Sequence, residues 1–246
     1  MNACRSLTLS SAVLAASVIC MYGQQKPQAL PLLDSAQLAA LPVYKSLEKA
    51  LEERDNVVRL NLDVRKLTEL SASIGELYNL QELYVSRNNL RSLPASLSNL
   101  SLLQVLYARR NRITKLPLEL TKLSQLRILD LSDNELEDIP TLIGNMTNLS
   151  IVYLSRNYLT YLPPSIGWLR NLRELYLDNN QIETLPPEIT KLTALRILDL
   201  TGNNLTTLPL GIEQLVNLKE LRLSGNLLPD VEMQRIRELL PHVQIK

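Results

Sequence analysis

The chain has 246 residues, 26 Lys and Arg against 25 Asp and Glu, and a net charge of +1. That balance offers no electrostatic footprint for nucleic acid or an anionic membrane surface. One histidine, two cysteines and no phenylalanine leave little material for metal or thiol chemistry.

Residues 1–23 read as a secretory signal peptide. Arg5 supplies the positive end, Leu7 to Met21 is an uncharged and mostly apolar run, and Gly23 offers a small residue before a cut at Gln24. Both cysteines, Cys4 and Cys20, fall inside this segment. Cys20 raises the alternative of a lipid-anchored chain, although Ile19 stands where such signals carry a small residue. Membrane association is expected only through that lipid. Cleavage after Gly23 leaves a mature protein without a thiol, hence without a disulfide or a cysteine nucleophile. The expected location is secreted or cell envelope, with a cytoplasmic protein as the runner-up.

Residues 24–42 hold Pro27, Pro31 and Pro42 and read as a linker. Residues 43–54 read as an amphipathic helix, with Val43, Leu47, Ala50 and Leu51 on one face and Lys49 pairing with Glu53 on the other. It is expected to cap a repeat array, in a capping segment 43–56.

From Val57 the chain repeats every 23 residues. Units begin at Val57, Leu80, Leu103, Leu126, Leu149, Leu172, Leu195 and Leu218, without insertion or deletion. Fixed periods of this size mark stacked architectures. Places one, four and six of each unit are apolar. Four and six differ by two, so they share one side of a short strand. Place nine is asparagine in seven units: Asn88, Asn111, Asn134, Asn157, Asn180, Asn203 and Asn226. An amide both donates and accepts, so these residues form a structural ladder that satisfies the turn leaving each strand. Leu-Pro or Ile-Pro follows in six units, from Leu93-Pro94 to Leu208-Pro209. The proline suits the first turn of a short helical or 3₁₀ return segment. The first unit is degenerate, with Arg65 for the asparagine and Ser71 for the proline, as terminal units often are.

The repeats cover 57–228, and a cap covers 229–246. Asp230 to Leu240 reads as a helix with Met233, Ile236, Leu239 and Leu240 inward, ended by Pro241. Val243 and Ile245 then alternate into a last strand, where exposed Gln244 and Lys246 discourage edge pairing.

This pattern resembles the leucine-rich repeat family, most closely its Leu-Pro type found in Ras-suppressor, Scribble-type and bacterial proteins. Plant-type and Toll-type repeats often carry a convex phenylalanine, which this chain lacks. The resemblance implies an α/β solenoid, a curved horseshoe with a parallel concave sheet of about eight repeat strands, short helical segments on the convex side and helical caps at both ends. Extracellular animal members usually have disulfide caps, so export combined with cysteine-free caps points to a bacterial source.

With places four and six inward, three, five and seven face the concavity. Place five brings Tyr84 beside Tyr107 and Tyr153 beside Tyr176, since neighbouring strands lie about 4.8 Å apart. Val105, Ile128 and Ile151 lie alongside at place three. Arg87, Arg110 and Arg156 at place eight, with Arg109, line the rim. Tyrosine, arginine and exposed aliphatics are the material of binding hot spots. These residues are therefore expected to bind a protein or peptide partner, with the chain acting as a monomer. The plainer alternative is that place-five tyrosines only pack along the column.

An enzyme is not expected, and no cofactor or metal is implied. No phosphate loop or nucleophile elbow occurs. Asp130 and Asp199 share a column but stand three strands apart, too far for a carboxylate pair. His242 lies in the cap, and Trp168 reads as convex packing. Asn99, Asn145, Asn148 and Asn204 fit the glycosylation pattern, which so asparagine-rich a repeat produces by chance. Two other functions stay open: a cytosolic signalling scaffold in a small-GTPase or kinase pathway, if the N-terminus is retained, and a surface adhesin or glycan-binding protein.

Overall fold

Each unit has only enough apolar spacing for a three-residue strand, and such a strand survives only when neighbours pair with it on both sides. The computed structural model describes residues 30–246; the expected signal peptide, the lipid site at Cys20 and the start of the expected linker lie outside them. Nine strands form one open parallel sheet in sequence order. They are β1 (Arg59–Asn61), β2 (Glu82–Tyr84), β3 (Val105–Tyr107), β4 (Ile128–Asp130), β5 (Ile151–Tyr153), β6 (Glu174–Tyr176), β7 (Ile197–Asp199), β8 (Glu220–Arg222) and β9 (Gln244–Ile245). Through β8 every residue pairs with the one 23 positions on, as Leu106 does with Leu129. The place-four and place-six side chains, such as Leu175 and Leu177, are buried in one core that runs from Ala50 to Val243.

The return segments are 3₁₀ turns, for example Ala95–Asn99 and Pro187–Lys191. The prolines stand one position earlier than expected. Pro94, Pro117, Pro163 and Pro186 are N-cap residues in extended conformation, and their carbonyls accept the first 3₁₀ bond, as from the Leu97 N–H at 3.1 Å. Among the described residues only Pro164 and Pro187, second in their Pro-Pro pairs, occupy the first turn.

The place-nine asparagines are buried, except half-buried Asn226 at the end of the array, and each stitches at least three backbone groups. Asn157 Nδ2 donates to the Leu131 carbonyl at 3.0 Å and to the Leu154 carbonyl at 2.9 Å, while its Oδ1 accepts the Leu136 N–H at 3.0 Å. A second, sparser ladder runs on the other side of the repeat. Asn79, Asn148, Asn171 and Asn217 each donate to a carbonyl 24 residues earlier. Asn148, read above only as a chance glycosylation match, thus has a structural job.

The ends depart from expectation. Residues 30–41 are folded and do not form a linker. Asp34 and Gln37 form a capping box that starts helix α1 (Ser35–Ala39), and Leu30, Leu38 and Leu41 are buried with Val58. Gln81 and Gln104 fix the segment through its backbone: Leu33 N–H donates to Gln81 Oε1, and Gln104 Nε2 donates to the Leu33 carbonyl. The capping helix is also shorter, α2 (Leu47–Glu52), because Ser46 caps it and Tyr44 is extended, bridging Leu60. Glu53 accepts the Tyr44 hydroxyl at 2.6 Å and takes no ion pair from Lys49 among the described residues. At the other end α3 (Asp230–Leu239) buries Ile236, and the chain returns to pair β9 with β8. Lys246 is not a free edge charge: its Nζ meets Glu220 at 2.5 Å.

Candidate functional site

Place five forms one column across the open face of the sheet. In register it runs Asn61, Tyr84, Tyr107, Asp130, Tyr153, Tyr176, Asp199, Arg222. The expected tyrosine pairs are formed. Tyr84 and Tyr107 stack with centroids 5.3 Å apart, and Tyr153 and Tyr176 at 4.8 Å, each pair within 14° of parallel. Strand spacing alone brings adjacent rings to this distance, the offset-stacked range.

Place-three carboxylates anchor the outer ring of each pair. The Tyr84 hydroxyl donates to Glu82 and the Tyr176 hydroxyl to Glu174, both at 2.9 Å. Arg59, on the preceding strand β1, meets Glu82 at 2.6 Å. Burial, then the bond to Glu82, pushes the Tyr84 hydroxyl above its ordinary range. Burial raises Tyr107 and Tyr153 as well, with Asp130 adding to both. All four phenols are therefore neutral donors at physiological pH.

Val105, Ile128 and Ile151 are consecutive in the ladder and half-buried, so the expected aliphatic row exists. It floors a hollow of about 220 Å³ that Tyr84, Tyr107 and Arg127 also line. One wall was not foreseen: Ser35 and Leu38 of α1 close the side next to β2 and β3. The Asp34 to Gln37 spacing was the available signal for it. A larger hollow, about 520 Å³, lies between α2 and the irregular first loop, under Lys45, Arg65 and Glu69.

The arginines divide. Arg87, Arg110 and Arg156 stand at place eight, where the backbone turns out of the strand with φ of 55–56°; Asp133, Asn179, Gly202 and Gly225 at the same place also have positive φ, from 54° to 74°. Arg110 and Arg156 approach Asp133 at 3.7 and 3.5 Å, and Arg109 binds it at 2.8 Å. Three cations thus gather around one carboxylate and leave that rim basic. Arg87 lies two units away from Asp133 and outside the cluster. Trp168 is half-exposed on the opposite side, its ring over Gly144. His242 is exposed in the cap. Asp130 and Asp199 lie three strands apart, as the period requires. Among the described residues no group of three or more His, Cys, Asp or Glu is placed to hold a metal.

Among the described residues the geometry is that of a broad, open sheet face lined by tyrosines, arginines and aliphatics. Solved structures with the same fold include the plant peptide hormone receptor RGFR1 in complex with RGF2, with 26% identity over 79% of this chain and a TM-score of 0.64. The ectodomain of the receptor kinase GASSHO1/SCHENGEN3 from Arabidopsis thaliana, in complex with CASPARIAN STRIP INTEGRITY FACTOR 2, matches 89% of this chain at 24% identity and 0.63. This chain spans only 36% and 33% of those two. A chain of the octameric complex of Latrophilin 3, Unc5D and FLRT2 (LRR) matches at 24% identity over 77% of this chain and 68% of its own length, with 0.62. No curated protein matches in sequence. The family model described as Leucine rich repeat matches residues 55–113 and 170–228, and that for Leucine Rich repeats (2 copies) matches 101–144, 124–167 and 147–191. Repeat period, ladder, sheet and family matches together establish that the chain belongs to the leucine-rich repeat family.

Proposed function

We propose that the protein is a non-enzymatic binding module that takes a protein or peptide on the open face of its sheet, over units two to six. The observation that carries this is the pair of tyrosine stacks beside the row Val105, Ile128 and Ile151. Stacked, carboxylate-anchored rings lose little further conformational entropy on binding, which is what makes aromatic anchors effective. The peptide-bound receptor among its structural relatives supports the same use of the fold. The test is to select peptides from a displayed random library on the full chain and measure them against Tyr107→Ala/Tyr153→Ala. The reading predicts at least a tenfold loss of affinity with unchanged circular dichroism; unchanged affinity overturns it.

Export is part of the proposal and rests on the sequence of residues 1–23. An intact mass beginning at Gln24 in the exported fraction supports it, and a lipid-modified Cys20 would make the protein a membrane-anchored receptor or adhesin. An uncleaved cytosolic chain would replace it with the signalling-scaffold reading.

A further inference from the structure

The place-five column holds two aspartates in the same backbone setting but with different company. Asp199 Oδ1 accepts the Thr201 N–H at 3.1 Å, and its Oδ2 binds Arg222 Nη1 from the next strand at 2.8 Å. Asp130 Oδ1 accepts the Ser132 N–H at 2.9 Å in the same way. The next strand there supplies Tyr153 instead of an arginine. Among the described residues Asp130 Oδ2 has neither a hydrogen bond nor an ion pair, although the residue is nine-tenths buried, with 9% of its surface exposed. No fully enclosed side-chain polar atom lacks a partner among the described residues, so Oδ2 opens onto the face of the sheet. Asp130 Oδ1 is committed to the backbone, so Oδ2 is the oxygen free to accept a charge-assisted bond from a cation brought to this face.

The surroundings narrow the cation. Asp130 lies between the two stacks, with Tyr107 one strand before it and Tyr153 one strand after. Rings stacked along a column turn their outer faces along that column, toward Asp130. Two strand spacings, about 9.6 Å, separate their backbones, room for one thin planar group between the rings. A guanidinium is planar, is weakly hydrated, stacks on aromatic faces and can bond a carboxylate. Arg222 already makes the equivalent contact with Asp199 inside the chain. Nearby Arg109 does not fill the place; its Nε is bound to Asp133.

We propose that Asp130, between Tyr107 and Tyr153, is the seat of an arginine side chain of the partner. This rests on the reading that the face binds a peptide, and it names what the peptide presents. An ammonium is a poorer fit, because it is compact, strongly hydrated and cannot lie flat between two rings.

The probe is acetyl-Gly-Arg-Gly-amide, with the citrulline peptide as its neutral isostere, titrated into the ¹⁵N-labelled full chain. The Ser132 amide, bonded to Asp130, and the Tyr153 amide report binding. The arginine peptide is expected to give saturable shifts at both, with the citrulline peptide and the Asp130→Asn protein at least tenfold weaker. Asparagine can still accept the Ser132 N–H, so that variant keeps the fold. Asp199→Asn, which loosens only the internal pair, is expected to bind as the wild type does. Equal shifts with citrulline, no shifts, or shifts that persist in Asp130→Asn overturn the seat. Library peptides that still depend on Tyr107 and Tyr153 would then leave the wider reading standing. An arginine probe that binds at Asp130 while library peptides ignore those tyrosines would keep the seat and remove the wider reading.

Discussion

An asparagine amide held in the ladder replaces three backbone partners that water cannot supply inside the stack. Truncating Asn157 to alanine leaves the Leu136 N–H without a partner and takes one of two bonds from each of the Leu131 and Leu154 carbonyls, which keep those from Asn134 and Asn180. A buried orphan costs about 1–3 kcal/mol and each lost second bond about 0.5–1.5 kcal/mol, so Asn157→Ala is expected to destabilise by about 2 kcal/mol or more in urea unfolding. Asn226 makes the equivalent bonds but is only half-buried at the end of the array. Water can replace its contacts, and Asn226→Ala should cost less than half as much. Place eight gives the opposite sign. A left-handed backbone costs a residue other than glycine about 1–2 kcal/mol, against about 0.5–1 kcal/mol for glycine's greater chain entropy. Arg156 is the best site to exchange, because its side chain is 64% exposed and its pair with Asp133 is long at 3.5 Å. Arg156→Gly is expected to raise stability by up to about 1 kcal/mol, and Gly202→Ala, at φ 64°, to lower it by a similar amount. Thermal unfolding of the two variants reads both signs.

At the scale of elements, the strands are held from one side by the core and the 3₁₀ turns by one another. The turns stack so closely that Gly167 faces the next unit's backbone: an added Cβ would lie 2.5 Å from the Glu188 carbonyl oxygen and 2.8 Å from its Cβ. The neighbour is main chain and cannot rotate away. Gly167→Ala is therefore expected to cost about 1–3 kcal/mol, measured by the same unfolding experiment. These regular elements were legible in the sequence because one rule repeats eight times, and a strict 23-residue period fixes strand, turn and register together. The wall of the hollow was not. Leu30, Leu33, Leu38 and Leu41 have helical spacing, but Pro31 and Pro42 interrupt the segment, so composition spoke for a linker. Their burial depends on Gln81 and Gln104, about 50 and 70 residues away, which only the fold brings near. Asp130 is an intermediate case. Its place in the column was readable, but its open oxygen depends on Tyr153 standing where its counterpart meets Arg222.

Across the whole molecule, a stack of identical units has two ends, and each exposes a strand edge and an apolar face unless covered. Tyr44 and α2 close the first, β9 and α3 the second. The second closure hangs on one buried acid. Glu232 Oε1 accepts the Leu208 N–H at 2.9 Å and the Thr207 hydroxyl at 3.0 Å, tying α3 to the last full repeat, and Arg235 meets the same oxygen at 2.6 Å. Chiefly through the Arg235 bond, this holds the Glu232 carboxyl down at about 2 in the folded protein. Its unfolded value is the ordinary glutamate value of about 4.3. A depressed folded value contributes stability that is present above the unfolded value and is lost as the pH falls toward the folded one. The window is thus about pH 4.5 down to 2. The cap should loosen there, on the order of 2 kcal/mol for this carboxyl. In a solenoid each unit leans only on its neighbours, so the loss begins locally. Hydrogen exchange across this pH range should show the α3 amides losing protection before those of β4 and β5. Glu232→Gln keeps an acceptor for the Leu208 N–H but cannot titrate, so it should be less stable at pH 7 and flatter with pH. Parallel pH profiles for wild type and variant would show that Glu232 does not set the acid stability of the cap.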